Sequence, residues 1–436
     1  MPLDNDADVL VIGGGPAGST AATLLARRGR SVVLAEKERH PRFHVGESLL
    51  PMNVPLFEEL GVLGQVRAIG IKKMGADFPA PSRRGYNVFR FARTLRPISD
   101  HAFQVRRAEL DALLFRHAAQ SGARVLEGVT VRGIELAAGG ATARLEGPEG
   151  AAPRSLRARY VIDASGRDTL LAGQLGLKRR NPKHQSAAVF AHFSGVGRRP
   201  GEDAGNISIY RFSHGWIWVI PLTEDCTSIG AVCWPQYLKQ RSGALEEFLW
   251  GALQSVPQLR GRLENARLTG HLTATGNYSY ASRRIGGPGW VLVGDAYAFV
   301  DPIFSTGVFL AMHSAKRAAE LVDAVLHDPR RERALQRRYA REIREGLDLL
   351  SWFIFRFTSP VMERLFAHPR NVLRIEEAMI SMLAGDVFGN RAVRWRLHAF
   401  KLIYGISWLG QWRRARASWR ARRQQMGLRL SRGAGS

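Results

Sequence analysis

The feature that most constrains this chain lies at its start, where a short apolar run, Asp8-Val9-Leu10-Val11-Ile12, ends on Gly13-Gly14-Gly15-Pro16-Ala17-Gly18. An apolar run this short reads as a strand covered on both faces. The glycines after it answer three separate steric demands. Gly13 permits a tight turn, Gly15 lets the backbone approach a diphosphate, and Gly18 lets helix and strand pack closely. Ser19–Arg28 then reads as a helix and Ser31–Ala35 as a second strand, closed by Glu36. Strand, turn, helix and strand within about 30 residues make the βαβ unit of a parallel sheet. The helix N-terminus behind the turn offers free N–H groups to the phosphates, and Glu36 is spaced to accept from a ribose hydroxyl pair.

The rest of the 436 residues divides by pattern. Length alone predicts two or three subdomains. Between about 190 and 280, β-rich runs (Ala187–Phe193, Ile207–Phe212, Trp216–Pro221, Thr227–Trp234) are broken by Gly, Pro and Asp, which predicts an antiparallel sheet. A strand of the first kind returns at Trp290–Val293, and helical patterns dominate after about 308. The expected fold class is therefore α/β, with a discontinuous dinucleotide-binding domain (1–185 and 285–330). An inserted β-sheet substrate domain (186–284) interrupts it, and a helical C-terminal region (331–436) follows. Acidic residues precede the first strand and no apolar run reaches about 18 residues, so neither a secretory signal nor a membrane span is expected. Cys226 and Cys233 lack metal-ligand or redox spacing and read as reduced core residues of a cytoplasmic protein, so metal catalysis is disfavoured.

Charge is distributed unevenly. The chain carries a net +25, and after Asp386 it has no acidic residue. Residues 391–436 hold twelve Arg or Lys, and Trp395, Trp408, Trp412 and Trp419 are interleaved with them through 395–423. Three readings stay open: a helix packed on the body with a solvated basic face, a cationic helix on an anionic membrane surface, or a dock for an acidic carrier protein. Nucleic-acid binding is disfavoured, because no accompanying motif is present.

Three further segments bear on the cofactor. They are Val161-Ile162-Asp163-Ala164-Ser165-Gly166-Arg167, Trp290-Val291-Leu292-Val293-Gly294-Asp295-Ala296, and Arg107 within Val105–Asp111. Together with the glycine turn they resemble the para-hydroxybenzoate-hydroxylase class of FAD flavoproteins. That resemblance implies FAD as cofactor, with Lys37, Ser48, Arg107, Asp295 and Gly307 near it beside Gly13, Gly15, Ala17, Gly18 and Glu36. No second glycine fingerprint follows, so reduced FAD is expected from a separate flavin reductase.

Four motifs narrow the class: Trp216-Ile217-Trp218-Val219-Ile220-Pro221, Val45–Pro51, Lys72-Lys73-Met74-Gly75-Ala76, and Asp301–Val308. Taken singly, the tryptophans share a strand face and read as sheet core, Lys73 as a solvated surface lysine, and Glu47-Ser48 as a helix cap. In this order on one chain, from residue 8 to about 390, they resemble the flavin-dependent halogenases. The likeness is to those acting on pyrroles, phenols or carrier-tethered acyl groups. It implies that reduced FAD, dioxygen and chloride or bromide yield hypohalous acid, with the halide bound by the N–H groups of Thr306 and Gly307. Lys73 is implied as the catalytic residue that receives the halogen, and Trp216, Trp218 and Phe304 as the wall between flavin and an aromatic substrate. Phe304 stands where tryptophan halogenases carry a glutamate, so an already activated ring is the expected substrate. The competing reading is a monooxygenase or dehydrogenase of the same fold that does not halogenate.

Overall fold

The computed structural model describes residues 6–80, 85–96, 98–148, 154–367 and 371–410. The first strand, β1 (Asp6–Ile12), leads into helix α1 (Pro16–Ala26) and strand β2 (Val32–Glu36). β1 lies parallel between β2 and the strand Arg154–Asp163, with Ile12 opposite both Ala35 and Asp163. Arg124–Glu127 extends this sheet beyond β2, and Trp290–Leu292 extends it beyond Arg154–Asp163, both parallel. Val9, Leu10 and Val11 are wholly buried, which is why their run carries no polar alternation. α1 packs against the helices Arg107–Gln120 and Gly307–His327. It starts three residues earlier than its sequence pattern suggests, because Pro16 has the φ of a first helical turn and needs no N–H partner there.

A nine-stranded sheet forms the second layer. Its centre, Lys178–Ser194, Cys226–Cys233, Gly215–Thr223 and Ile207–Phe212, is antiparallel, as the alternating pattern predicts. Two strands from early in the chain complete one edge: Gly75–Pro79 pairs onto Ile207–Phe212, and Tyr86–Arg90 pairs onto Gly75–Pro79. The β layer therefore reaches outside 186–284. A separate ribbon pairs Gly70–Lys73 with Ala102–Val105 and sets Lys73 opposite Ala102. Cys226 and Cys233 are buried, free thiols at the two ends of one strand.

Five helices dominate the C-terminal part: Gly307–His327, Glu332–Ile354, Pro360–Ala367, Ile375–Leu383 and Arg391–Gly410. The last of these buries Val393, Leu397, Phe400 and Tyr404, with the Phe400 ring tilted against Phe353 at 5.4 Å. Trp412, Trp419 and the arginines from Arg413 onward lie outside the described residues. Among the described residues no helix is long and apolar enough to cross a membrane.

Candidate active site

The glycine turn is fixed by contacts that leave no room for a side chain. Gly13 has φ +100°, and a Cβ there would meet the Ala164 carbonyl oxygen at 2.4 Å. A Cβ at Gly18 would lie 1.8 Å from the Gly13 carbonyl oxygen. Gly15 differs, since a Cβ there meets only Arg42 Nη2 at 3.7 Å. Its open side faces a cavity of about 350 Å³ that runs from Glu36 to Trp216, Trp218 and Ile220. Gly13, Gly15 and Ala17 line this cavity, whereas Gly18 does its work in the packing behind the turn.

Charged side chains set the shape of the near end. Glu36 is buried; its Oε2 accepts from Gly14 N at 2.6 Å and its Oε1 from Glu38 N at 2.9 Å. A carboxylate has about four lone-pair sites; with Arg42 Nη2 also donating to Oε2 at 3.5 Å, about one remains for an incoming hydroxyl. Arg42, which the sequence reading missed, lies within 3.5 Å of Glu36 and 3.4 Å of Asp111, and brings a cation to the turn. Arg107 grips buried Asp111 with two parallel bonds of 2.9 and 3.0 Å and donates its third to Val45 O at 2.8 Å. It thereby ties the loop before Ser48 to the helix Arg107–Gln120. The same guanidinium, with burial, pushes the His44 imidazole down to about 4, so that ring is neutral. Lys37 is paired with Asp168 at 2.6 Å at the half-exposed mouth, and the pairing raises its pKa.

Two helix ends open on the same cavity. α1 begins at one end, and the 21-residue helix Gly307–His327 begins at the other, with Gly307 and Val308 in the wall. A Cβ at Gly307 would meet nothing within 4 Å, so the first N–H groups of that helix face open space. Ser305 sits in the left-handed region (φ +56°), which turns the chain into the helix. Thr306 caps the helix with its side chain buried behind the wall, not in it. Asp295 faces the cavity from the end of the Trp290–Leu292 strand. Burial raises its carboxyl to about 6, against the pull of Arg107 and Arg167. Arg167 reaches across to Thr275 Oγ1 at 3.0 Å. A dinucleotide with a diphosphate fits these residues: one helix end, a ribose acceptor at Glu36, and a second helix end where the flavin ring would carry negative charge.

The far wall is aromatic. Trp216 and Trp218 lie on one face of Gly215–Thr223, 5.8 Å apart, and both line the cavity. Trp218 donates to Ser228 Oγ at 3.1 Å and overlies Gly230, where a Cβ would come within 2.3 Å of its ring. Phe304 does not line the cavity; it is buried edge-on to Phe357 at 5.5 Å.

Lys73 occupies the least expected position. It is only 1% exposed, and its ammonium donates to Ser48 Oγ at 2.9 Å and Leu49 O at 3.0 Å, with the Phe91 ring 5.3 Å away. Burial lowers its pKa to about 7, and Asp77 opposes that shift. Lys72, its neighbour, is exposed on the opposite strand face. Ser48 lines the cavity, so one hydrogen bond links Lys73 to it. Beside Ser48, the buried Glu47 carboxylate accepts from His192 Nε2 at 2.8 Å, a partner the sequence reading missed.

Comparison with known proteins agrees with this geometry. The FAD binding domain family matches residues 6–345. The 1H-pyrrole-2-carbonyl-(peptidyl-carrier protein) chlorinase of Pseudomonas fluorescens is 32% identical over 412 residues, which is 89% of this chain and 91% of that protein. Tryptophan 2-halogenase of Chondromyces crocatus is 36% identical over 332 residues, 75% of this chain but only 63% of that protein. Among solved structures, a flavoprotein/dehydrogenase from Cytophaga hutchinsonii superposes with a TM-score of 0.84 at 28% identity, covering 93% of this chain and 100% of its own. With the glycine turn, the two helix ends and the tryptophan wall in one cavity, the chain belongs to the flavin-dependent halogenases, FAD-dependent oxidoreductases of the FAD binding domain type.

Proposed function

We propose that this enzyme halogenates an electron-rich aromatic ring, with an aryl acyl group on a carrier protein as its substrate class and Lys73 as the residue that delivers the halogen. The observation that carries this reading is the buried ammonium of Lys73, held by Ser48, whose other side faces the FAD cavity. When bound, reduced FAD supplies, with dioxygen and halide, an electrophilic halogen in the form of hypohalous acid. Gly13, Gly15, Glu36, Arg42 and Asp295 would hold the dinucleotide. The N–H groups of Thr306 and Gly307, at a positive helix end, suit a halide. Trp216 and Trp218 keep the organic substrate off the cavity, so oxygen transfer to it is disfavoured. With a pKa near 7, a useful fraction of Lys73 is a free amine at neutral pH. That amine reacts with hypohalous acid to give an N-halo-lysine and water. Attack by the ring on the halogen, with loss of a ring proton, then restores the amine.

The carrier-bound substrate rests on the name of the Pseudomonas fluorescens relative. A flavin reductase as partner follows from the single dinucleotide fingerprint. The second reading, oxidation without halogenation, is favoured by the dehydrogenase named among the structural neighbours. Mass spectrometry of free and carrier-bound pyrrole and phenol acids, incubated with enzyme, reductase, FAD and chloride or bromide, separates the two. A halogen isotope pattern that requires added halide is expected. A product gaining only oxygen, or losing hydrogen, with or without halide would overturn halogenation.

A further inference from the structure

The helix Arg391–Gly410 has two apolar faces. One carries Val393, Leu397, Phe400 and Tyr404 and is buried against the body. At 100° per residue, the other falls on the opposite side and carries Trp395, Leu402, Ile406 and Leu409. Nothing in the described structure covers it: Leu402 and Ile406 are each 71% exposed, Leu409 66% and Trp395 47%. Four large apolar side chains in one exposed row are not a solvated helix face. The flanks are cationic, with Arg394 and Lys401 on one side of the row and Arg396 on the other. Arg394 is tied to Glu345 at 2.8 Å, which anchors the helix to the body and leaves the row pointing outward. Eight arginines follow between 413 and 432, and no acidic residue stands anywhere after Asp386.

We propose that this row, flanked by cationic side chains of the same helix, seats the enzyme on an anionic lipid surface. Aliphatic side chains and a tryptophan along one row, on a helix that carries no acid, match the chemistry of a bilayer interface: hydrocarbon to receive Leu402, Ile406 and Leu409, and headgroup phosphates to meet the flanking cations. A carrier protein would be recognised through charge as well, but it offers much less continuous hydrocarbon for a row opposite the docked face. The enzyme would then work beside a membrane without any segment spanning it.

The test is flotation of the full chain with phosphatidylcholine vesicles, with and without phosphatidylglycerol. Binding is expected to the anionic vesicles, weakened at least about tenfold in high salt, and absent from neutral ones. L402E/I406E places two charges in the row, outside the FAD cavity, and should retain FAD and thermal stability. It should lose vesicle binding by about a hundredfold or more, since two side chains no longer enter hydrocarbon. Failure to float with anionic vesicles, equal flotation with neutral ones, or unchanged flotation of L402E/I406E would each overturn the proposal. If the wild type does not float and L402E/I406E abolishes self-association or capture of an acidic carrier protein, the row belongs to that protein interface instead. Halogenation of soluble substrates is independent of all these outcomes.

Discussion

The glycine turn in the wall of the FAD cavity and the lysine buried behind Ser48 are built on opposite principles. At the glycine turn, function comes from what is missing: no side chain at Gly13 or Gly18 lets strand and helix close up, and none at Gly15 leaves space for phosphate. At the lysine, by contrast, a side chain stands where it is least stable, an ammonium buried beside Phe91 with two acceptors. The first is stable and passive; the second stores a cost that chemistry can use. Substitutions should therefore have opposite signs on stability at the two places, and the largest effect belongs to the glycines.

Gly18→Ala brings a methyl against the Gly13 carbonyl, a backbone atom that cannot move aside, so a loss on the order of 4 kcal/mol is expected, with FAD binding lost as well. Gly15→Ala meets only the tip of Arg42 and should cost about 1 kcal/mol of stability, while weakening FAD by roughly tenfold or more because the methyl faces the diphosphate. Calorimetry with an FAD titration distinguishes them. Equal destabilisation by both would remove the distinction between a packing glycine and a ligand glycine.

Lys73→Met should act in the other direction. Halogenation is expected to fall by about a thousandfold, with FAD affinity nearly unchanged, while the fold gains on the order of 2–4 kcal/mol at pH 6. The pH dependence follows from the sign of the shift. The folded pKa of about 7 lies below the ordinary lysine value, so the unfolded chain holds the extra proton between them. The penalty that Lys73 imposes is therefore full below pH 7 and fades as pH rises towards the ordinary lysine value. Denaturant unfolding of both proteins from pH 6 to 10 measures it. A pH-independent difference would mean the ammonium is not the destabilising group.

These contrasts also explain what was legible in the sequence. The turn could be read because each glycine answers a backbone demand that few other residues can meet, and the central strands because burial on one or two faces leaves a local pattern. Lys73 is singled out by its motif, while taken alone, with Lys72 beside it, it reads as a surface residue; the alternation of the strand Gly70–Lys73 sends the two to opposite faces and buries Lys73. Arg42 and His192 reach Glu36 and Glu47 across loops and sheets, contacts with no local signature. The pairing of Gly75–Pro79 onto Ile207–Phe212 joins residues about 130 positions apart, so the limits of the β layer were not visible either. Phe304 was read by its place in a motif, yet its backbone turn sends the ring towards Phe357.

Ser48→Ala sits between the cavity and Lys73 and should have a smaller effect. The ammonium keeps its bond to Leu49 O but loses the hydroxyl that links it to the cavity. Removing an acceptor from the charged form lowers the lysine pKa further, so the acidic limb of the halogenation profile should move below 7. The rate should fall about tenfold as the amine loses its orientation. An unmoved limb with an unchanged rate would detach Ser48 from Lys73.

The smallest effect is expected where the cavity meets water. Lys37 and Asp168 form a close pair, but both are about half exposed, and solvent screens their attraction. Lys37→Ala should change stability by less than about 0.5 kcal/mol. Its effect on FAD should be electrostatic and of long range: a loss of no more than about fivefold at low salt that disappears as ionic strength rises. The glycine variants should show no such salt dependence, because steric exclusion is not screened. A salt-independent loss in Lys37→Ala would mean that the lysine touches FAD directly. The mouth would then belong with the turn as part of the binding surface, and the division between a built interior and a screened rim would have to be redrawn one residue further out.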